Sequence, residues 1–126
     1  YDSEYDDEDE DLASIWMERV AEASATIFLE RVKSIRRLSE PGAAQLAADL
    51  EYFSNVVTAL TSRPQRGLLA YMQCASVDAD DYARFARETV EQQQQQQSTE
   101  NADSSPEAFI DHRIVKQVAA MRGIAL

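Results

Sequence analysis

Between Gln45 and Leu60 the apolar residues Leu46, Leu50, Phe53, Val57 and Leu60 recur at steps of four, three, four and three. That spacing draws one stripe along a helix, the pattern that packing into a bundle demands. Upstream, residues 12 to 38 carry a second amphipathic pattern. Leu12, Trp16, Val20, Ala23, Ile27 and Ile35 fall on one broad face, which Phe28, Leu29 and Val32 widen. These residues are expected to be buried, with Trp16 as the core anchor and exposure at an interface as the alternative. Asp11 is placed to cap this helix, and Lys33, Arg36 and Arg37 suit its negative end better than they suit a lipid or partner patch.

The punctuation between helices is equally regular. Ser39-Glu40-Pro41-Gly42 breaks the chain and restarts it with proline in a first turn, and Ser62-Arg63-Pro64 ends the second helix near Thr61. A short helix over residues 65–75 buries Leu68, Leu69 and Met72. Asp78 then caps a helix bearing Tyr82, Phe85 and Val90, which runs into the glutamines 92–97. Residues 92–105 form a polar, low-complexity insert for which no specific function is expected. Ser105-Pro106-Glu107 opens a last helix with Phe109, Ile110, Ile114, Val118 and Met121 on one face, ended by Gly123. No segment shows the alternation of a strand. The fold class is therefore all-α, an antiparallel bundle of about five helices forming one domain over residues 12–126.

Charge changes this picture at one end only. The formal net charge is −11, but eight of the 23 acidic residues lie among the first eleven positions. The body is near −3. Residues 1–11 should be a disordered acidic linker, or else a lure for a basic partner. There is no basic face for nucleic acid, no apolar run long enough for a bilayer and no leader sequence, and the missing initiator methionine marks a piece of a longer chain.

Candidate chemistry is sparse. His112 and Asp111 are adjacent on a helix and so point about 100° apart, which does not make a dyad. Cys74, the single cysteine, reads as a small buried apolar side chain. Asp78-Ala79-Asp80-Asp81 lacks the glycine and terminal glutamate of a calcium loop; zinc lacks ligands, and no glycine loop could cradle phosphate. Neither cofactor nor enzymatic activity is expected.

The block Gln45-Leu46-Ala47-x-Asp49-Leu50-Glu51-Tyr52-Phe53-x-Asn55-Val56-Val57-x-Ala59-Leu60 resembles the C-terminal region of the seventh subunit of the conserved oligomeric Golgi complex. The likeness continues through Pro64-x-Arg66-x-Leu68-Leu69 and Asp81-Tyr82, and returns at Arg113-Ile114-Val115 and Val118-Ala119-Ala120-Met121-Arg122. The acidic opening and the glutamine-rich insert depart from it. The resemblance implies the C-terminal part of a helical rod in a non-enzymatic vesicle-tethering subunit at the cytoplasmic face of the Golgi membrane. It would act in intra-Golgi retrograde transport and glycosylation homeostasis. Implied partners are sister subunits, SNAREs, small GTPases and coiled-coil tethers, with peripheral membrane attachment through the complex. The alternative is a stand-alone helical adaptor whose acidic tail docks a basic partner. Asp49, Tyr52 and Asn55, spaced by three, form a polar row beside the stripe. They either hydrogen-bond across the bundle to fix register or present a surface to another subunit.

Overall fold

A computed structural model describes residues 3–97 and 110–126, with side chains over residues 11–92 and 110–126. Five α-helices follow one another: α1 Ser3–Lys33, α2 Glu40–Thr61, α3 Arg66–Ser76, α4 Ala79–Gln97 and α5 His112–Arg122. Among the described residues there is no strand, so the architecture is the expected all-α bundle. Glu18 of α1 meets Arg63 just past α2 at 3.8 Å, and Phe28 stacks on Phe53 with centroids 4.5 Å apart. Positions rising along α1 thus face positions falling along α2, and the two helices are antiparallel.

The helix ends obey local chemistry. The Ser39 side chain accepts from the Gly42 N–H at 3.1 Å, with Pro41 in the first turn of α2, where its missing N–H costs nothing. Ser62 closes α2 in the left-handed region at φ 56°, its N–H donating to the Thr58 carbonyl. Gly123 does the same for α5 at φ 71°, and Ile124 N–H reaches the Ala119 carbonyl at 2.8 Å. Three boundaries differ from the sequence expectation. α1 begins at Ser3, so its backbone is helical through residues expected to be disordered, and Asp11 lies inside the helix instead of capping it. Acidic side chains are favourable near a helix N-terminus, which allows this extension. α1 also ends at Lys33, leaving Arg36, Arg37 and Leu38 in the connection. α5 begins at His112, where the Asp111 carboxylate accepts from the Arg113 N–H at 3.0 Å. The start expected at Ser105–Glu107, like Phe109 and most of the polar insert, lies outside the described residues.

The larger correction concerns which faces are inside. On α2 the buried line is Ala43, Ala47, Leu50, Ser54, Val57 and Thr61, with Leu46 and Phe53 half-buried and Leu60 exposed. On α1 it is Ala21, Ala25 and Val32, joined by Phe28 and Leu29. Trp16, expected as a core anchor, is 70 % exposed, and Leu12, Val20 and Ile27 are exposed with it. The physical reason is steric. Small side chains let neighbouring helices approach closely, and most of the volume of the core is supplied by Tyr71, Leu68, Tyr82, Val115 and Val118 from the shorter helices, with Leu50 and Val57 from α2. The approach is close where α3 begins: an added Cβ on Gly67 would sit 2.9 Å from Leu29 Cδ2. On α3 Leu68 is buried as expected, but Leu69 and Met72 are only half-buried and Tyr71, Cys74 and Ala75 complete the inner face; on α5 Val118 and Met121 are buried as expected, Ile110 and Ile114 are half-buried, and Val115 joins the core.

One charged side chain ties the elements together. The Arg122 side chain is 1 % exposed and forms a forked pair with Glu40 at the start of α2, Nη2 to Oε2 at 2.9 Å and Nε to Oε1 at 3.4 Å. Its Nη1 donates to the Cys74 carbonyl at 2.9 Å and the Val77 carbonyl at 2.6 Å, at the C-terminal end of α3. The guanidinium carbon lies 5.3 Å from the Tyr82 ring centroid on α4. Tyr82 in turn donates to the Val115 carbonyl of α5 at 2.6 Å, and Leu38 N–H donates to the Met121 carbonyl at 2.7 Å. Replacing Arg122 by alanine should therefore destabilise the fold by about 2–4 kcal/mol, because it orphans buried carbonyls as well as the pair. Arg122→Lys should recover less than half of that loss, since an ammonium cannot reproduce the fork. Urea unfolding followed by circular dichroism measures both.

Candidate interaction surface

The polar row lies on the outer side of α2, turned away from the core line of Leu50, Ser54 and Val57. Asp49 and Asn55 are exposed and Tyr52 is 75 % exposed. The Asp49 carboxylate accepts from Gln45 Nε2 of its own helix at 2.8 Å. That bond is a local i,i+4 link and sets no inter-helix register. Cross-bundle hydrogen bonds come from residues the sequence did not single out. Tyr71 donates to Gln117 Oε1, Tyr82 to the Val115 carbonyl, and Arg122 binds three elements. Neither tyrosine was distinguishable in advance from an ordinary apolar position. Arg122 carried a signal that periodicity did not use: it follows Val118 at i+4 on an apolar face, where a cation must find partners to be buried.

Burial governs the titratable groups of the interior. Burial pushes the Cys74 thiol up from 9 to about 11, against smaller opposing contributions from the Tyr82 hydroxyl and Arg122. Burial likewise raises the Tyr71 and Tyr82 phenols, with the nearby Cys74 adding to both shifts. A thiol held protonated in the core is no nucleophile at neutral pH. His112 is half-buried beside a cleft of about 460 Å³ lined by Ala83, Ala86, Arg87, Val90, Glu91, Lys116 and Leu126. Its Nδ1 has no hydrogen-bond partner among the described residues, and the Asp111 carboxylate is engaged as a helix cap. The cleft lining holds no serine, threonine or cysteine to attack a substrate. Among the described residues no group of three histidine, cysteine or acidic side chains could hold a metal ion. No described helix is long and apolar enough to cross a membrane.

The conspicuous surface feature is apolar. Trp16, Met17, Val20 and Ile27 of α1 and Val56 and Leu60 of α2 are all exposed. Helical geometry assigns them to one side of the antiparallel pair. On α1 the arc from Trp16 to Met17 leads round to Phe28, and on α2 the arc from Val56 through Leu60 leads round to Phe53. Since Phe28 stacks on Phe53, the two arcs flank a common outer groove.

The described residues form a helical bundle with an apolar core and a large apolar outer face on α1 and α2. The chain belongs to the family described as Golgi complex component 7 (COG7), whose pattern it matches over residues 1–123. It is 41 % identical over 61 residues to conserved oligomeric Golgi complex subunit 7 of Arabidopsis thaliana, a stretch covering 48 % of this chain and 7 % of that protein. To the subunit 7 of Homo sapiens it is 29 % identical over 78 residues, 62 % of this chain and 10 % of the human protein. The matched stretch thus spans a tenth or less of these relatives' length. No solved structure matches.

The buried thiol gives a pH prediction. Its raised value in the fold means the folded state holds the proton more tightly. The associated stability is complete below pH 9 and is lost as pH rises through about 11. Unfolding free energy should fall across that window, and less steeply in Cys74→Ala. The two tyrosines prolong the fall above pH 10 in both proteins. In native protein at pH 7.5, a thiol reagent should label Cys74 only at the rate of unfolding.

Proposed function

We propose that this chain is a C-terminal interaction module of a non-enzymatic subunit of the Golgi tethering complex, the end of a helical rod that works through protein contacts. Membership of the Golgi complex component 7 family carries this reading. The exposed row Asp49, Tyr52 and Asn55 supports it, because polar and aromatic residues held outward on a rigid helix suit recognition better than stability. The partners are the sister subunits of the complex, with SNAREs, small GTPases and coiled-coil tethers as further contacts. The work is the capture of vesicles in intra-Golgi retrograde transport, which maintains Golgi glycosylation. The site of action is the cytoplasmic face of the Golgi membrane, reached peripherally through the complex.

The test uses the full-length parent protein, tagged and purified from its own cell. Recovery of the seven other subunits supports the reading, and a preparation without them defeats it. The triple variant Asp49→Ala, Tyr52→Ala, Asn55→Ala should keep the helical spectrum and lose no more than about 1 kcal/mol of stability, as exposed substitutions do. The same variant should recover at least several-fold less of one sister subunit. Unfolding of the variant instead would assign the row to the bundle's architecture.

A further inference from the structure

The connection between α1 and α2 carries two cations without the role their position promised. α1 ends at Lys33, so Arg36 and Arg37 stand beyond its last turn, and both are exposed. Among the described residues the ion pairs engage Lys33, Arg63, Arg84 and Arg122, and neither of these two. The nearby carbonyls that close α5 are already met by N–H groups, Ala119 by Ile124 at 2.8 Å, Ala120 by Gly123 at 3.3 Å and Met121 by Leu38 at 2.7 Å. Two unpaired guanidiniums thus precede a hydroxyl in the run Arg36-Arg37-Leu38-Ser39. In the whole sequence Ser39 is the one serine or threonine with arginine both two and three positions before it. Protein kinases select substrates largely by charge pattern, and a pair of guanidiniums at fixed offsets from the acceptor suits an acidic substrate groove.

The backbone and the hydroxyl fit an acceptor. Residues 35–39 are non-helical, Ser39 is exposed, and its φ of −70° and ψ of 164° are those of an extended chain. Its Oγ accepts from the Gly42 N–H at 3.1 Å, which leaves the hydroxyl proton uncommitted. Ser34 offers the contrast. Arg31 stands three positions before it, but that arginine is held within α1, and the Ser34 hydroxyl donates to the Arg31 carbonyl at 2.6 Å. Ser39 also opens onto a place for the product. Together with Arg36, Arg37 and Arg122 it lines a cleft of about 540 Å³ that has no acidic side chain in its walls. The adjacent carboxylate, Glu40, is neutralised by Arg122 at 2.9 Å. A phosphate on Ser39 would stand at the positive end of α2 and within the field of the two unpaired guanidiniums.

We infer that Ser39 is the acceptor site of an arginine-directed protein kinase, and that Arg36 and Arg37 hold the phosphate it receives in this cleft. In the transfer a bond forms between Ser39 Oγ and the γ-phosphorus of ATP. The bond from that phosphorus to the β,γ-bridging oxygen breaks, ADP departs, and the hydroxyl proton passes to the kinase's catalytic aspartate. This inference rests on the α1–α2 connection alone and stands or falls apart from the tethering role.

The native 126-residue chain is incubated with the catalytic subunit of cyclic-AMP-dependent protein kinase, an arginine-directed enzyme, and magnesium ATP, and the product is mapped by tandem mass spectrometry. A single phosphoryl group should be gained, on Ser39. Arg36→Ala combined with Arg37→Ala should slow the initial rate by roughly tenfold or more, while Ser34→Ala leaves it unchanged. Ser39→Asn, which keeps a capping side chain and loses the hydroxyl, should take up no phosphate. The purified phosphoprotein is then titrated by phosphorus magnetic resonance. Pairing with two guanidiniums should lower the second ionisation of the phosphate by about half a unit or more from its ordinary value of about 6. A native chain that takes up no phosphate overturns the inference, and so does modification at Ser34 in place of Ser39. A rate indifferent to the two arginines, or a phosphate that titrates at its ordinary value, overturns it equally.

Discussion

The burial of the Arg122 guanidinium is the constraint around which the bundle closes. A cation taken out of water is costly, and this one is stable because four of its donor contacts are met: two by the Glu40 carboxylate, one by the Cys74 carbonyl and one by the Val77 carbonyl. The partners come from the start of α2 and the end of α3, and the ring beneath belongs to α4. Carbonyls at a helix C-terminus lack intrahelical donors and carry partial negative charge, so a cation there satisfies them and the helix dipole together. Glu40 is half exposed, so its side of the pair is paid for only partly in desolvation. This polar junction fixes the relative placement of the ends of α2 and α3 and of α5 where apolar packing alone would permit sliding.

Around the junction the packing follows from volume. Short helices with large apolar faces, α3 and α5, fill the middle with Leu68, Tyr71, Val115 and Val118. The long helices α1 and α2 turn Leu50, Val57 and Val32 toward that filling together with their alanines, serine and threonine, and leave Trp16, Val20, Ile27 and Leu60 outside. Tyr82 gives the arrangement one more bond of definite direction, its hydroxyl meeting the Val115 carbonyl in a fully buried position. The raised thiol and phenols report the same dry interior.

Much of this was legible in the sequence, and the part that was not has a single cause. Helix existence, the breaks at Pro41 and Pro64 and the terminator Gly123 follow from local backbone chemistry, which acts over a few residues. The faces of α3 and α5 were readable in part: Leu68, Val118 and Met121 are buried as expected, while Tyr71, Cys74 and Val115 turn the inner face somewhat from the expected one. The stripe of α2 was readable too, Leu50 and Val57 being buried and Leu46 and Phe53 packed against the core, with Leu60 exposed; the face of α1 was not, because periodicity weights large side chains and here the close approach of neighbours selected small ones. Leu12, Trp16, Val20 and Ile27 form a genuine stripe, but the stripe belongs to the surface. Periodicity reports that a helix has an apolar side without saying what lies against it. The polar row on α2 was visible as an irregularity in the pattern. Arg122 was marked locally only as a cation on an apolar face, since its four partners, drawn from three distant elements, have no local signature.

The order in which the chain is made gives the Arg122 junction another meaning. A ribosome delivers α1, α2 and α3 well before residue 122, so the carbonyls closing α3 and the carboxylate opening α2 must wait, hydrated, for a side chain more than forty residues downstream of them. Until it arrives the nascent bundle has helices but no lock, and its apolar faces remain open to chaperones. A chain that ends before residue 122 has every helix that the junction joins except the last turn of α5, yet lacks the one side chain that meets the carbonyls closing α3.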